Sequence, residues 1–499
     1  MEIKKAAVIG AGVMGGGIAA HIANAGIPVV LMDIVPKGAN NRNVVAETAI
    51  ERLKKSDPAA FMHAKNARLV TPANIEDNLD MLADCDWIVE AVIEKLDVKH
   101  DLYAKVEQHR KKGSIVSSNT STIPLAQLIQ GRGEEFAKDF LITHFFNPPR
   151  YMRLLEIVSG PKTKKAAVDT IRDFADLRLG KGVVDCKDTP GFIANRIGTL
   201  WIQAAVNEAI DGGLTVEEAD SVMGRPIGFP KTGIFGLIDL VGLDLMPHVG
   251  KSLFDNVPKD DRYRALYRES AQFQKMIADG YTGRKGKGGF YRLNREGGQR
   301  VKEAIDLKGG KYRATVRPRL DSVAAGAKDL RALVTHPDKG GRYAWKVLAE
   351  TLSYAASLVP AIADDVVAVD EAMRLGYAWK WGPFELIGDA VLVQSPLELS
   401  AYAQQPLLVR LLEAQALFDQ LRIEVPHQAR ERLDAKTVGA EPVEPLRLGA
   451  IGELGACGAA AGVPDLSTRM PLASSFMCSE VPAGYVACAS TFSGFSTAK

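Results

Sequence analysis

Within the stretch LITHFFNPPRYMRLLEIV, residues 141–158, a histidine and a glutamate stand where chemistry could be done. His144 ends an apolar run and is followed at once by Asn147-Pro148-Pro149, so it sits where a strand meets a loop, the usual station of catalytic groups in a doubly wound sheet. Glu156 lies inside Leu154-Leu155-Glu156-Ile157-Val158, where an unpaired carboxylate carries a heavy desolvation cost. It needs a partner. If the prolines fold the second run back beside the first, Glu156 reaches the imidazole and holds one tautomer. The alternative is a carboxylate that points to solvent or pairs with Arg150 or Arg153. A positioned imidazole is a general base worth about 10²- to 10⁴-fold in rate, and beside a hydride acceptor it would serve alcohol oxidation.

The hydride acceptor has its own signature. Gly10-Ala11-Gly12-Val13-Met14-Gly15 lies between a strand-like run and a helix-like one, and a second strand-like run ends at Asp33, near the spacing of a dinucleotide-binding unit. Gly10 makes the tight turn, Gly12 lets the backbone approach a pyrophosphate, and Gly15 lets helix and strand pack closely. The free N–H groups of the helix start face the phosphates. Asp33 would accept hydrogen bonds from ribose hydroxyls and repel a 2′-phosphate. No arginine follows it at once, which favours NAD over NADP.

These groups must be carried by a particular architecture. AAVIG, PVVLMD, DWIVEAVI, SIVSSN, FLITHFF, LLEIV and GVVDC read as strands, mostly alternating with helix-like segments. That alternation predicts an α/β fold, a Rossmann-type doubly wound and largely parallel sheet over 1–187, with antiparallel pairs where only a loop joins two late strands. After Cys186 the pattern turns all-α. Asp188-Thr189-Pro190 offers a helix start ahead of FIANRIGTLWIQAAVNEAI, Gly212-Gly213 ends that helix, and Thr215 with Glu218 forms a capping box for the next.

EEADSVMGRPIGFPKTGIFGLIDLVG (217–242) and AVDEAMRLGYAWKWGPFELIGDA (368–390) share spaced Asp, Met and F-x-L-I positions at an offset of about 150, so the helical module is duplicated. The expected domains are therefore an NAD-binding Rossmann domain over 1–187, a helical substrate and dimerisation domain over 188–295, a linker over 296–339 and a partial second module over 340–388. Residues 389–499 lack either periodicity over any length and are expected to be a poorly ordered tail.

Composition narrows the setting. Lys plus Arg number 62 against 60 for Asp plus Glu, and the resulting +2 gives no field for nucleic acid or an anionic membrane. Five cysteines form neither a C-x-x-C pair nor an even-numbered framework, so no disulfide scaffold or metal site is expected, and a reducing cytoplasm is the default. The N-terminus imitates a signal peptide, but glycines interrupt its apolar run, His21 and Asn24 are polar, and a second strand follows. No membrane span is expected.

The glycine turn together with SNTSTIP (118–124), HFFNP (144–148), LLEIV and DTPGFIANR (188–196) closely resembles the L-3-hydroxyacyl-coenzyme A dehydrogenases of fatty-acid β-oxidation, over about residues 4–295 and more weakly over 340–388. The resemblance implies NAD as cofactor, an acyl-CoA thioester as substrate and a homodimer. It implies His144 as general base, Glu156 as its orienting carboxylate, and Ser121 and Asn195 as groups on the substrate hydroxyl and thioester. Met14, Asp33, Glu94, Lys99 and Asn147 are implied as cofactor contacts, and Lys55 as a holder of a coenzyme A phosphate.

In similar chains with a duplicated helical module an enoyl-CoA hydratase domain follows. No such stretch is recognisable here, and the second copy departs from the motif at Gly388, where the first has Asp239; a reading frame lost near codon 388 would account for both. The competing expectations are another β-hydroxyacid dehydrogenase, whose lysine base would sit where Asn195 and Arg196 stand, and a non-catalytic NAD-binding protein of the same fold.

Overall fold

In the computed structural model the described residues are 1–295 and 299–389. Runs rich in β-branched residues form β1 (Ala6–Ile9), β2 (Val29–Asp33), β3 (Val70–Asn74), β4 (Trp87–Glu90), β5 (Ile115–Ser118), β6 (Phe140–Phe145), β7 (Leu154–Ser159) and β8 (Gly182–Cys186). They join in one sheet of order β3-β2-β1-β4-β5-β6-β7-β8. Helices α1 (Val13–Asn24), α2 (Val44–Lys54), α3 (Leu96–His109), α4 (Leu125–Leu128), α5 (Glu134–Lys138) and α6 (Lys165–Leu177) connect them. The strands are apolar on both faces, as a covered sheet requires, and Val8, Leu31, Val89 and Ile142 are fully buried.

β1 to β6 run parallel, β7 turns back antiparallel to β6, and β8 is parallel to β7. The late hairpin is the antiparallel pair that the loop-only connection predicted. The strand that periodicity missed is β3, sequence VTPAN: Pro72 argues against a strand, and it is tolerated because β3 lies at the sheet edge.

The chain then becomes helical: α7 (Ala194–Asp211), α8 (Val216–Val222), α9 (Phe235–Val241), α10 (Leu245–Asn256), α11 (Arg262–Leu266) and α12 (Ala271–Ala278). The capping box at Thr215 and Glu218 is present. The start of α7 differs from expectation. Residues 188–193 form a turn with Gly191 at φ 78° and Phe192 at φ 48°, and regular helix begins only at Ala194.

The stretch expected to be a linker over 296–339 also carries order. A small antiparallel sheet joins β9 (Tyr291–Asn294), β10 (Val301–Ile305) and β11 (Tyr312–Ala314), and α13 (Asp321–Gly326) and α14 (Leu330–Val334) follow. Its strands are short and half exposed, so their apolar pattern is weak, and Arg313 anchors them by pairing with Glu217 of α8 at 2.8 Å.

The two similar segments share one bonding pattern. In the first copy Asp220 accepts from the N–H groups of Phe235 (2.7 Å) and Gly236 (3.1 Å); in the second, Asp370 accepts from Phe384 (2.7 Å) and Glu385 (3.1 Å). Gly233 and Gly382 make the close approach possible, since a Cβ on either would meet its aspartate at 2.4 Å and 2.3 Å. Burial pushes the Asp220 carboxyl up to about 7 against these bonds, and raises Asp370 too. The second copy comprises α15 (Lys339–Ser357), α16 (Val366–Gly376) and α17 (Pro383–Asp389). Tyr343 of α15 donates to the Ala205 carbonyl of α7 at 3.1 Å, and the half-buried ring of Tyr377 occupies the space that a side chain at Gly198 would fill. The expectations for the stretch beyond Asp389, an irregular tail and a lost frame, fall outside the described residues.

Candidate active site

Strand order reverses between β1 and β4, so the carboxyl ends of β1, β4, β5 and β6 border one crevice. At its β1 side the glycine turn has the geometry of a phosphate cradle. Gly10 has φ 106° and a Cβ there would lie 2.4 Å from the Ala91 carbonyl oxygen; one on Gly15 would lie 1.8 Å from that of Gly10. Gly12 differs: no atom stands within 4 Å of where its Cβ would be. Packing within the protein does not require that glycine, whereas a phosphate approaching the backbone does. No side chain caps the N-terminus of α1. Asp33, at the end of β2, accepts from the N–H of Ala11 and, at 2.7 Å, from that of Ile34. Met14 is half-buried beside the turn. These residues fit a dinucleotide.

On the other side of the crevice β6 and β7 pair in a register that sets His144 opposite Glu156. The glutamate is fully buried, and its Oε2 lies 2.7 Å from Nδ1 of His144. Its Oε1 accepts from the N–H groups of Ile193 (3.1 Å) and Ala194 (2.8 Å), so the charge in the middle of an apolar strand is met by the imidazole and by the head of α7. This explains the late helix start. The cap is supplied from another element, while Asp188, the local candidate, accepts instead from Leu125 (2.7 Å) and Ala126 (3.2 Å) of α4.

With Nδ1 committed to the carboxylate, Nε2 keeps a lone pair directed at Ser121, whose Oγ is 3.2 Å away. The rings of Phe146 and Phe192 lie 4.6 Å and 5.5 Å from the imidazole and limit water around it. Asn195, the second residue of α7, is half-buried next to the capping amides, and Asn147 is exposed on the turn after β6.

Glu94 and Lys99 occupy different stations. Glu94 is partly exposed and gathers the Ser121 loop, accepting from the Thr120 hydroxyl and from the amides of Ser121 (2.9 Å) and Thr122 (3.2 Å). Burial acts to raise its carboxyl, but Lys99 and these donors prevail and hold it below the usual range. Lys99 is itself buried, with Nζ 2.7 Å from Glu90 and 3.2 Å from Glu94, so it supports Glu94 rather than reaching into the crevice. Lys55 is exposed at the end of α2, next to the Glu51–Lys54 ion pair.

Three residues of the site were not anticipated. Glu90 accepts from Lys99, Tyr103 and Ser118, and its signal was the same as that of Glu156, an acid inside an apolar strand. Asn119 accepts from the N–H of Phe145 at 2.9 Å and fixes the end of β6. Arg52 donates to the carbonyls of Ala11 and Gly12 at 3.4 Å, which no local pattern reveals.

Comparison with known proteins agrees with this geometry. Residues 5–189 match the 3-hydroxyacyl-CoA dehydrogenase NAD-binding domain, and 191–293 match the C-terminal domain of the same family. A Deinococcus radiodurans protein named as a probable 3-hydroxyacyl-CoA dehydrogenase is 47% identical over 296 residues, covering 59% of this chain and 84% of that one. A Bacillus subtilis protein of the same name is 42% identical over 417 residues, 80% of this chain and 52% of its own. The 3-hydroxybutyryl-CoA dehydrogenase of Escherichia coli shares the fold, with a TM-score of 0.57 at 23% identity over 88% of this chain and all of that one. The chain spans about half the length of the first curated relatives it matches. Among the described residues no helix is long and apolar enough to cross a membrane, and no group of acidic, His and Cys side chains could hold a metal. The two matched domains, the dinucleotide turn and the paired strands behind it make this chain a member of the NAD-dependent 3-hydroxyacyl-CoA dehydrogenase family.

Proposed function

We propose that the chain oxidises L-3-hydroxyacyl-CoA to 3-oxoacyl-CoA in fatty-acid β-oxidation, with His144 as the general base and Glu156 as the group that orients it. The supporting observation is the line of contacts from the α7 amides through Glu156 and His144 to Ser121. Glu156 holds the proton on Nδ1, which leaves Nε2 free to take the proton of a substrate hydroxyl. Ser121, steadied by Glu94, would donate to that substrate oxygen, and Asn195 would face the thioester. Bound NAD supplies the acceptor for the hydride that leaves the same carbon. Asp33 would hold the adenosine ribose, the Gly10–Gly15 turn the pyrophosphate, and Met14 and Asn147 would border the cofactor; Glu94 would border it while Lys99 braces it from behind.

The wider reading includes a cytoplasmic setting, a homodimer and Lys55 as a coenzyme A contact. Light scattering of the full chain tests the dimer, and a Lys55→Ala enzyme with unchanged KM for the acyl substrate would remove that lysine from the site. The reaction itself is tested by mixing the protein with NADH and acetoacetyl-CoA and following absorbance. Consumption of NADH is expected. Binding of NADH without consumption would leave only a nucleotide-binding scaffold, and turnover of free hydroxy acids but not thioesters would favour the other β-hydroxyacid reading.

A further inference from the structure

We infer that Lys181 is a positioning residue for the nicotinamide end of the crevice, holding from behind the turn at 147–152 that carries Asn147. The inference rests on Asn147 as a cofactor contact and adds the group that sets where Asn147 stands.

Lys181 lies between α6 and β8 and is 2% exposed. Its Nζ donates to the carbonyl of Pro149 and, at 2.7 Å, to that of Met152, and lies 5.4 Å from the centre of the Phe145 ring. Both carbonyls belong to the turn that follows His144 and Asn147. The turn is also seated on α1: a Cβ on Gly17 would lie 2.9 Å from Cδ of Pro149, and its three nearest atoms all belong to that ring. The turn is therefore held by contacts to both the dinucleotide helix and one lysine.

The choice of lysine is physically odd. No carboxylate among the described residues comes within ion-pairing distance of Lys181, and the titratable groups that act on it, His21 of α1 and Arg153 just after the turn, are both basic; Arg150 acts on His21 in the same way. Burial, with Arg153 adding, drives the amine down to about 7, and burial with Lys181 drives His21 down to about 3. A neutral amine has two N–H donors, one for each carbonyl. Filling the space alone would be done at lower cost by methionine, which has no polar group to desolvate. What lysine adds is the hold on two particular oxygens. A displacement of about 1 Å at a reacting centre can cost 10²-fold, so the turn bordering the nicotinamide is a place where such a hold matters.

The test compares Lys181→Met, Gly17→Ala and Asn147→Ala with the parent enzyme in steady-state assays of both substrates. Lys181→Met is expected to raise KM for NADH about tenfold or more while KM for acetoacetyl-CoA changes less than about twofold, because binding is lost at one subsite only. Gly17→Ala crowds Pro149 directly and is expected to shift the same constant, which keeps the inference open to refutation if Lys181→Met does not fold. An unchanged KM for NADH in either variant, when Asn147→Ala raises it, would overturn the role of Lys181 and leave the site reading intact. An unchanged KM in Asn147→Ala would overturn both.

Discussion

Glu156 holds His144 through Nδ1 at 2.7 Å and with its second oxygen caps helix α7 from a distant strand. One buried carboxylate thus sets the tautomer of the proposed base and fastens the helical domain to the sheet. The proposed chemistry and the domain placement share a residue.

Replacing the imidazole separates binding from turnover. His144→Gln is expected to leave NADH affinity nearly intact and to cut turnover by at least about 10²-fold, since the nucleotide turn lies on other strands while the base is lost. Fluorescence titration and steady-state rates on the same preparation decide it; parallel losses in both would end the assignment of His144 as the base.

Glu156→Gln should do more than slow the reaction. The amide offers a single acceptor oxygen where the carboxylate serves the imidazole and two α7 amides, so one of these partners loses its bond. Unfolding experiments are expected to show a loss of about 1–3 kcal/mol, the cost of leaving a buried polar group unsatisfied. A variant with parental stability and low turnover would confine Glu156 to catalysis.

Lys99 makes a prediction about stability instead of cofactor affinity. Lys99→Met leaves Glu90 buried without its cation, and breaking such a pair from one side costs about 3–5 kcal/mol. Adding Glu90→Gln should restore most of it. If the single variant melts like the parent but binds NAD poorly, Lys99 is a cofactor contact after all.

The buried amine of Lys181 predicts a pH effect whose sign is fixed by its direction of shift. Its ordinary value is 10.5 and the fold lowers it to about 7. Above the higher value the amine is neutral in folded and unfolded chains and costs nothing; as pH falls between the two, only the unfolded chain takes up the proton, so the folded state loses stability. Melting temperatures of the parent minus those of Lys181→Met should therefore decline from about pH 10 to about pH 7 and level off below. His21 titrates in a lower window, from 6.5 toward about 3, and does not mask the trend. A difference that stays flat would show that the amine is not perturbed by its burial.

Much of the site was legible because it rests on local necessity. A glycine turn between strand and helix, an acid trapped in an apolar strand and a capping box each declare themselves within a few residues. Glu90 shows that the trapped-acid signal deserved wider use: it stands in DWIVEAVI as plainly as Glu156 in LLEIV. The edge strand β3 was hidden by Pro72, and the small sheet after Gly289 by its half-exposed strands, since burial generates the apolar pattern that periodicity detects.

The sequence by itself determined the doubly wound class, the cradle for a dinucleotide, the likeness of the two helical segments and the two side chains at the centre of the proposed chemistry, because propensity, patterning and the cost of an unpaired charge act locally. Only the tertiary structure decided who partners whom. Asp188 was the obvious cap for α7 and serves α4, Glu156 takes its place across 37 residues of chain, and Lys99 pairs with Glu90. Hydrogen-bond donors and acceptors pair by distance in space, and residues far apart in the chain are brought within that distance only once the sheet has set its register.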